Sequence, residues 1–342
     1  MFKACKSLIL LLSFALSMPL ALAEELLRSD HPDTYTVVKG DTLWDISGRF
    51  LHKPWLWPEI WYVNPQIANP HLIYPGDQLD LVYIDGKPQL RLRRGPLKLS
   101  PSVRSTPWDG AIPTIPVDAI AQFLTHPYVV DTDQLKSAPY IVDFAEEHII
   151  GGAGQRAFVR KIEQVEPRQY EIVRPGPPYK DGKTGEILGY EALYIGSTEL
   201  MQTGDPATVF LNSTKLEAII GDRLVPASGE RMAATFTPHA PPMPVEGSII
   251  SVLDGVSQIG QYSVVVLDRG ASDGVDSGSV LRVMHRGETV RDIVSPKPGE
   301  MVTLPDEQAG LLMVFRTFDR VSFGLVMYAT RVMHVGDIVR NP

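Results

Sequence analysis

Thr34-Tyr-Thr-Val-Val-Lys-Gly40-Asp-Thr-Leu-Trp-Asp-Ile-Ser47 switches from one backbone period to another within a few residues. Tyr35 and Val37 alternate with Thr34 and Thr36, the period-two pattern of a strand, and Gly40 breaks it. Asp41 or Thr42 can then cap a helix whose apolar positions, Leu43, Ile46 and Phe50, fall three and four apart. Further on, Asn69-Pro-His-Leu-Ile-Tyr-Pro-Gly-Asp-Gln-Leu-Asp-Leu-Val82 reads as a loop with a Pro-Gly turn feeding a closing strand.

That order, a strand at each end with helices between, resembles the LysM domain, a small βααβ module that binds N-acetylglucosamine-containing glycans. The domain is expected over residues 33–83. The resemblance implies a groove between two loops, with Gly40, Asp41, Thr42 and Leu43 on one side and Asn69, Pro70, Leu72, Ile73 and Tyr74 on the other. An N-acetyl group offers one amide donor, one acceptor and a methyl. Loop backbone can meet the amide, Leu43 and Ile73 can shield the methyl, and Gly40 and Gly76 permit close approach. Asp41 and Thr42 can cap the helix at the same time, since capping uses a side-chain oxygen and binding uses mainly backbone.

This copy departs from the usual pattern at its second helix, His52-Lys-Pro-Trp-Leu-Trp-Pro-Glu-Ile-Trp-Tyr-Val-Asn64, where many LysM domains are polar. Trp55, Trp57, Trp61 and Tyr62 could form a sugar-stacking platform, but a small domain also needs large apolar groups inside. Trp57 and Trp61, four apart, are the natural core pair, and Trp55 is the residue expected at the surface.

Residues 1–23 read as a cleaved signal peptide: Lys3 and Lys6 form a basic start, Ser7 to Leu20 an apolar run, and Ala21-Leu-Ala23 a small-x-small cleavage site. The run is too short for a stable membrane span. Cys5 lies ahead of it, so the mature chain holds no cysteine and folds by packing alone, as the periplasm permits. Losing Lys3 and Lys6 takes the net charge from −8 to −10. Such an acidic chain argues against nucleic acid or anionic lipid as partner, and no other apolar run could cross a bilayer.

The remainder sorts by composition. Residues 84–137 read as a proline-rich linker with a short helix: Arg91, Arg93, Arg94 and Lys98 sit among six prolines between Asp85 and Pro116, and Val117 to Thr125 has helical spacing. Residues 138–227 carry short β-branched and aromatic runs separated by Gly and Pro turns, as in a sandwich or barrel. A second proline-rich break covers 228–246, and a second β unit 247–342. The fold class expected is α+β overall, a small βααβ domain followed by two mainly antiparallel β units. Pro75-Gly-Asp, Ile220-Gly-Asp and Val335-Gly-Asp each precede a last strand, an echo too common among turns to imply duplication.

Asp268-Arg-Gly-Ala-Ser-Asp-Gly-Val-Asp-Ser-Gly-Ser-Val-Leu resembles the Gly-rich hairpin of the C-terminal domain of flagellar assembly protein T. Signal peptide, LysM domain, β region and this C-terminal domain together resemble the type IV pilus secretin-associated protein family. That resemblance implies a periplasmic adaptor anchoring an outer-membrane secretin ring to peptidoglycan. A single small groove should hold glycan weakly, so many copies in a ring-like assembly are expected, with edge strands of the β units as protein-binding surfaces through strand addition or face packing.

Catalysis finds no constellation to rest on. Without a mature cysteine there is no Cys-His peptidase, and the eight histidines include no His-x-His or His-Glu-x-x-His pair for zinc. Gly270-Ala-Ser-Asp-Gly274 matches a nucleophile-elbow pattern but is followed by a poor helix former. Gly151-Gly-Ala-Gly154 lacks the Lys-Ser/Thr of a phosphate loop and reads as a turn. The chain is therefore expected to be non-enzymatic and to need no cofactor. A peptidoglycan hydrolase or its activator, and a flagellar ring component, are the alternatives.

Overall fold

The computed structural model describes residues 26–61, 73–93, 112–120, 129–130, 132–162, 167–227, 236–253, 258–297 and 299–342. Residues 1–23, expected to be a signal peptide, and Asn69, Pro70 and Leu72 lie outside them. The chain divides into two compact units, Met1–Val117 with Ala234–His239, and Asp118–Ala233 with Ala240–Pro342.

In the first unit the strand, helix, helix, strand order expected from the sequence is β1 (Thr34–Thr36), α1 (Leu43–Phe50), α2 (Trp57–Ile60, entered through one 3-10 turn at Pro54–Leu56) and β2 (Gln78–Ile84). Asp85 and Gly86, both with positive φ, turn the chain into β3 (Lys87–Arg93), which pairs antiparallel along the whole of β2. The sheet order is β1-β2-β3. The semi-extended tether expected from residue 85 onward is thus, over 87–93, a third strand. Its alternation puts Leu90 inward while Lys87 and Arg91 stay in water, and Pro88 stands on an edge strand where its missing N–H costs no ladder bond. Leu43, Ile46 and Phe50 of α1 pack with Trp57, Ile60, Leu79 and Leu90 in one core.

Trp57 is 2% exposed and meets Trp61 edge to face, ring centroids 6.3 Å apart, the expected core pair. Trp55 is not the surface residue its sequence position pointed to. It is 6% exposed, with the Lys53 ammonium 5.9 Å above its ring.

The second unit holds two antiparallel barrels. The first is built from β5 (Tyr140–Phe144), β6 (Arg156–Arg160), β7 (Gln169–Lys180), β8 (Ile187–Gln202), β9 (Ala207–Thr214) and β10 (Arg223–Pro226), with β4 (Val129–Val130) added to β8. Its ring runs β5-β6-β9-β8-β7-β10 and closes from β10 back to β5. The second is built from β11 (Glu246–Leu253), β12 (Val264–Leu267), β13 (Val280–His285), β16 (Glu307–Thr317), β17 (Ser322–Ala329) and β18 (Ile338–Arg340), and a separate hairpin of β14 (Thr289–Arg291) and β15 (Met301–Thr303) lies between β13 and β16. Its ring runs β11-β12-β17-β16-β13-β18 and closes likewise. Closure pairs both edges of the ring strands where they lie in the barrel wall; β7 and β8 run on past their ring partners, and there β4 adds to the edge of β8.

Taken in chain order, the two rings have the same connectivity, and the correspondence extends to single bonds. Gly221 donates to Ile141 O and Ile141 to Asp222 O; Gly336 donates to Ile249 O and Ile249 to Asp337 O, all at 2.8–3.0 Å. Asp222 Oδ2 accepts the Ile219 N–H at 2.8 Å and Asp337 Oδ2 the His334 N–H at 2.9 Å. Both barrels shift register between β7 and β8, or β13 and β16, beside a glycine, Gly196 or Gly310. The Gly-Asp echo therefore marks a structural repeat, contrary to its reading as a chance turn. The first unit uses the same device: Gly76 donates to Val37 O, Val37 to Asp77 O, and Asp77 Oδ2 accepts the Tyr74 N–H. Gly76, Gly221 and Gly336 have φ of +95°, +94° and +100°, a conformation that glycine enters without steric cost.

The two barrels are joined by more than chain. The turn between β7 and β8 lies against the second barrel, where Gly182 N–H reaches Asp268 Oδ2 at 3.0 Å, Arg269 pairs with Asp181 at 3.2 Å, and Arg320 grips Glu186 at 2.7 and 3.0 Å. Gly270–Gly274 forms a single 3-10 turn over Ala271–Asp273 that leads toward β13, so Ser272 does not open a helix as a nucleophile elbow requires; its hydroxyl donates to Asp319. Val117–Ile120 is helical, and the rest of the helix expected to Thr125 lies outside the described residues. Thr132–Ser137 adds a short helix within the expected linker.

Candidate functional site

The loop from Val37 to Leu43 is fixed by its own side chains. Asp41 Oδ2 accepts the Tyr35 hydroxyl at 2.9 Å and the Val38 N–H at 2.8 Å. Burial, then the adjoining Asp41 carboxylate, pushes the Tyr35 phenol above its ordinary value. Thr42 is the N-cap of α1: its Oγ1 accepts the Asp45 N–H at 3.1 Å and donates to Asp45 Oδ2 at 2.7 Å. Of the two capping candidates, Thr42 caps and Asp41 ties the turn. Both side chains are engaged, so a ligand at this loop meets backbone.

A helix start leaves its first N–H groups without partners inside the helix. Asp45 N–H goes to the Thr42 side chain, while Leu43 N–H donates to Pro113 O at 3.0 Å and Trp44 N–H to Thr114 O at 3.2 Å. The same short segment reaches the opposite loop, where Ile112 N–H donates to Ile73 O at 2.8 Å. Ile112 and Ile115 are 6% and 0% exposed, and Thr114 Oγ1 receives the Phe236 N–H at 3.4 Å. Residues 112–115 thus form a strap between the two loops that the sequence reading named as groove walls. Pro113 suits this role because it contributes a carbonyl and has no N–H to satisfy.

The nine residues expected to face glycan divide three ways. Gly40 is exposed, Asp41 half-buried and Tyr74 40% exposed, so these stand at the surface. Thr42, Leu43 and Ile73 are 3%, 1% and 1% exposed, with Leu43 and Ile73 in the core of the unit. Their side chains hold the loops, and what they offer outward is Leu43 N–H and Ile73 O, both taken by the strap. Asn69, Pro70 and Leu72 fall outside the described residues. Sequence reasoning missed Ile112 to Ile115 altogether, because a proline-rich stretch reads as tether; the apolar pair Ile112 and Ile115 was the only signal of packing.

Chemically the loop pair offers backbone hydrogen-bonding groups, each taken here by a different peptide group of the strap. One wall supplies two N–H donors in line with the positive end of α1, the other a carbonyl acceptor. Peptide and N-acetyl amides present the same complementary pair of groups.

Comparison with known proteins agrees for this part of the chain. The LysM domain matches residues 35–81. An uncharacterized protein of Bacillus subtilis (strain 168), YqbP, is similar to this chain at 43% identity over 60 residues, which is 15% of this chain and 27% of that protein. The chain thus spans about a quarter of that relative's length. Residues 35–81 are a LysM domain, the class of module that binds peptidoglycan and related carbohydrate.

Proposed function

We propose that this protein is a non-enzymatic adaptor of the periplasm, exported by a cleaved signal peptide, that binds peptidoglycan through its LysM domain and anchors an outer-membrane secretin of the type IV pilus kind. The observation that carries the glycan half is the loop pair itself, which in a LysM domain presents Leu43 N–H, Trp44 N–H and Ile73 O to three separate peptide groups of the strap. An N-acetyl group exchanging with the strap would take one of those donors with its carbonyl and offer its single N–H to that acceptor. Such exchange costs whatever the strap contributes, so a single groove binds weakly and retention relies on many copies acting together. The order of parts supports the secretin half: a wall-binding domain at one end and two barrels, braced against each other through Arg269 and Asp268, at the other.

The test is a titration of the full chain with N-acetylglucosamine oligomers, read by backbone amide resonances. Leu43, Trp44 and Ile112 should shift together and saturably. Saturable binding that leaves all three unmoved would place the glycan elsewhere, and no binding to oligomers or sacculi would end the reading. Incubation with purified sacculi separates the enzyme alternative, since release of soluble muropeptides contradicts an adaptor. Co-purification of the native protein must bring down a secretin; recovery with flagellar basal-body components instead would reassign the partner.

A further inference from the structure

The structural repeat supplies an internal control for one cluster in the second barrel. In the first barrel the buried carboxylate of Asp222 faces Arg174, whose guanidinium is a permanent countercharge at 2.8 and 3.0 Å. The equivalent carboxylate, Asp337, has a side chain only 4% exposed. The position of Arg174 is taken by His285, since both lie one residue past the partner of the first residue of their barrel's last strand: Val173 pairs with Arg223 of β10, and Met284 with Ile338 of β18. The position of Ile219 is taken by His334. A fixed cation and an aliphatic side chain have thus become two imidazoles around the same buried acid.

Their geometry is that of a ligand set. His285 Nδ1 stands 2.9 Å from Asp337 Oδ1, the two imidazole rings are 5.7 Å apart and tilted by 54°, and one ligating atom from each of the three residues lies within 4.8 Å of the others. Asp337 Oδ2 is already held by the His334 N–H, which aims Oδ1 toward His285. In a tetrahedral site with bonds of about 2.0–2.1 Å, neighbouring ligand atoms stand about 3.3 Å apart. Opening the His285–Asp337 contact by a few tenths of an ångström, and turning the exposed His334 ring inward, meets that requirement. Beside the cluster lies a cavity of about 320 Å³, lined by His285, Glu288, Leu304 and Glu307, which leaves room for water or an outside ligand to complete the coordination.

We propose that His285, His334 and Asp337 bind one divalent ion of the late transition series, with zinc as the reference ion. Two imidazole nitrogens and one carboxylate suit zinc, nickel or copper and select against magnesium and calcium, which demand oxygen donors. Bound there, the metal supplies the positive charge that Arg174 supplies in the first barrel. The site is remote in sequence from the LysM domain and does not depend on the glycan reading.

The experiment is calorimetric titration of the full chain with Zn²⁺ alone, paired with visible absorption of the Co²⁺ form. One ion per chain should bind, with d–d bands typical of low coordination number. His334→Ala should weaken binding at least tenfold. His285→Arg, which recreates the pairing of the first barrel, should abolish it. Should His285→Arg fail to fold, His334→Gln, at an exposed position, serves in its place. Absence of a saturable site, or a stoichiometry and affinity unchanged in these variants, would overturn the proposal.

Discussion

Arg174 holds the buried carboxylate of Asp222 with two hydrogen bonds, Nε to Oδ1 at 2.8 Å and a terminal nitrogen to Oδ2 at 3.0 Å, and its terminal nitrogen also reaches the Glu217 carbonyl at 2.8 Å. Asp222 is 1% exposed. Removing the guanidinium strands a charge where water cannot reach it, which costs about 3–5 kcal/mol when a buried pair is broken from one side. Arg174→Leu should therefore lower the free energy of unfolding by that amount in a urea titration, and Asp222→Asn added to it should recover part of the loss. An Arg174→Leu protein as stable as the parent would show that the pair contributes nothing to the barrel.

Glu171 gives stability a dependence on pH. It is 8% exposed, and burial pushes its carboxyl up to about 7 against the opposing pull of the Arg316 charge. In the unfolded chain its ordinary value is 4.5. Below that value the group is protonated in both states and costs nothing. Between about 4.5 and 7 the unfolded chain ionises first, so stability falls as pH rises, by on the order of 3 kcal/mol in all. Glu171→Gln should match the parent near pH 4 and exceed it near pH 8 in paired urea titrations. Equal midpoints at both would contradict the shift.

Gly310 and Gly196 close the same bulge in their two barrels. A Cβ at Gly310 would stand 2.1 Å from Tyr328 O and 2.3 Å from Met333 Cε; one at Gly196 would stand 2.2 Å from Ser213 O. Backbone cannot yield as a flexible side chain can, so Gly310→Ala should cost about 3 kcal/mol, the upper range for overpacking. Gly336→Ala meets open space and carries only its φ of +100°, a cost of about 1–2 kcal/mol. Thermal unfolding of the two variants should rank them in that order, and the reverse ranking would show that φ strain outweighs the clash.

The strap predicts a gain of function. Ile115 is fully buried, and Ile115→Ala removes packing from the segment that bonds Leu43, Trp44 and Ile73. Each 1.4 kcal/mol by which strap docking weakens should tighten N-acetylglucosamine oligomer binding by up to about tenfold. Isothermal titration of parent and variant decides. Unchanged or weaker binding with the domain still folded would mean that strap and glycan do not compete.

Much of the LysM domain was legible before folding. Gly40 ends a period-two run, Thr42 can cap, and Leu43, Ile46 and Phe50 share one helix face; each is a local property of a short stretch. Trp57 and Trp61 were readable as a core pair for the same reason, since four residues place them on one side of a turn. Trp55 was misread because its burial depends on what covers it, and helical spacing carries no information on that. β3 was hidden by Pro88 and by its arginines, which are tolerated on an edge strand but resemble a solvated tether.

By itself the sequence determined where strands turn, where α1 starts, that the first unit carries a LysM domain, and that a Gly-Asp turn leads into a strand three times. These follow from φ preferences, capping and periodicity, which act over a few residues. Only the tertiary structure decided that two of those turns belong to barrels of identical connectivity, that His285 and His334 meet Asp337, and that residues 112–115 lie between the LysM loops. Each of these joins groups tens of residues apart or more. Hydrogen bonding and burial across such separations are settled by packing, and no local pattern encodes them.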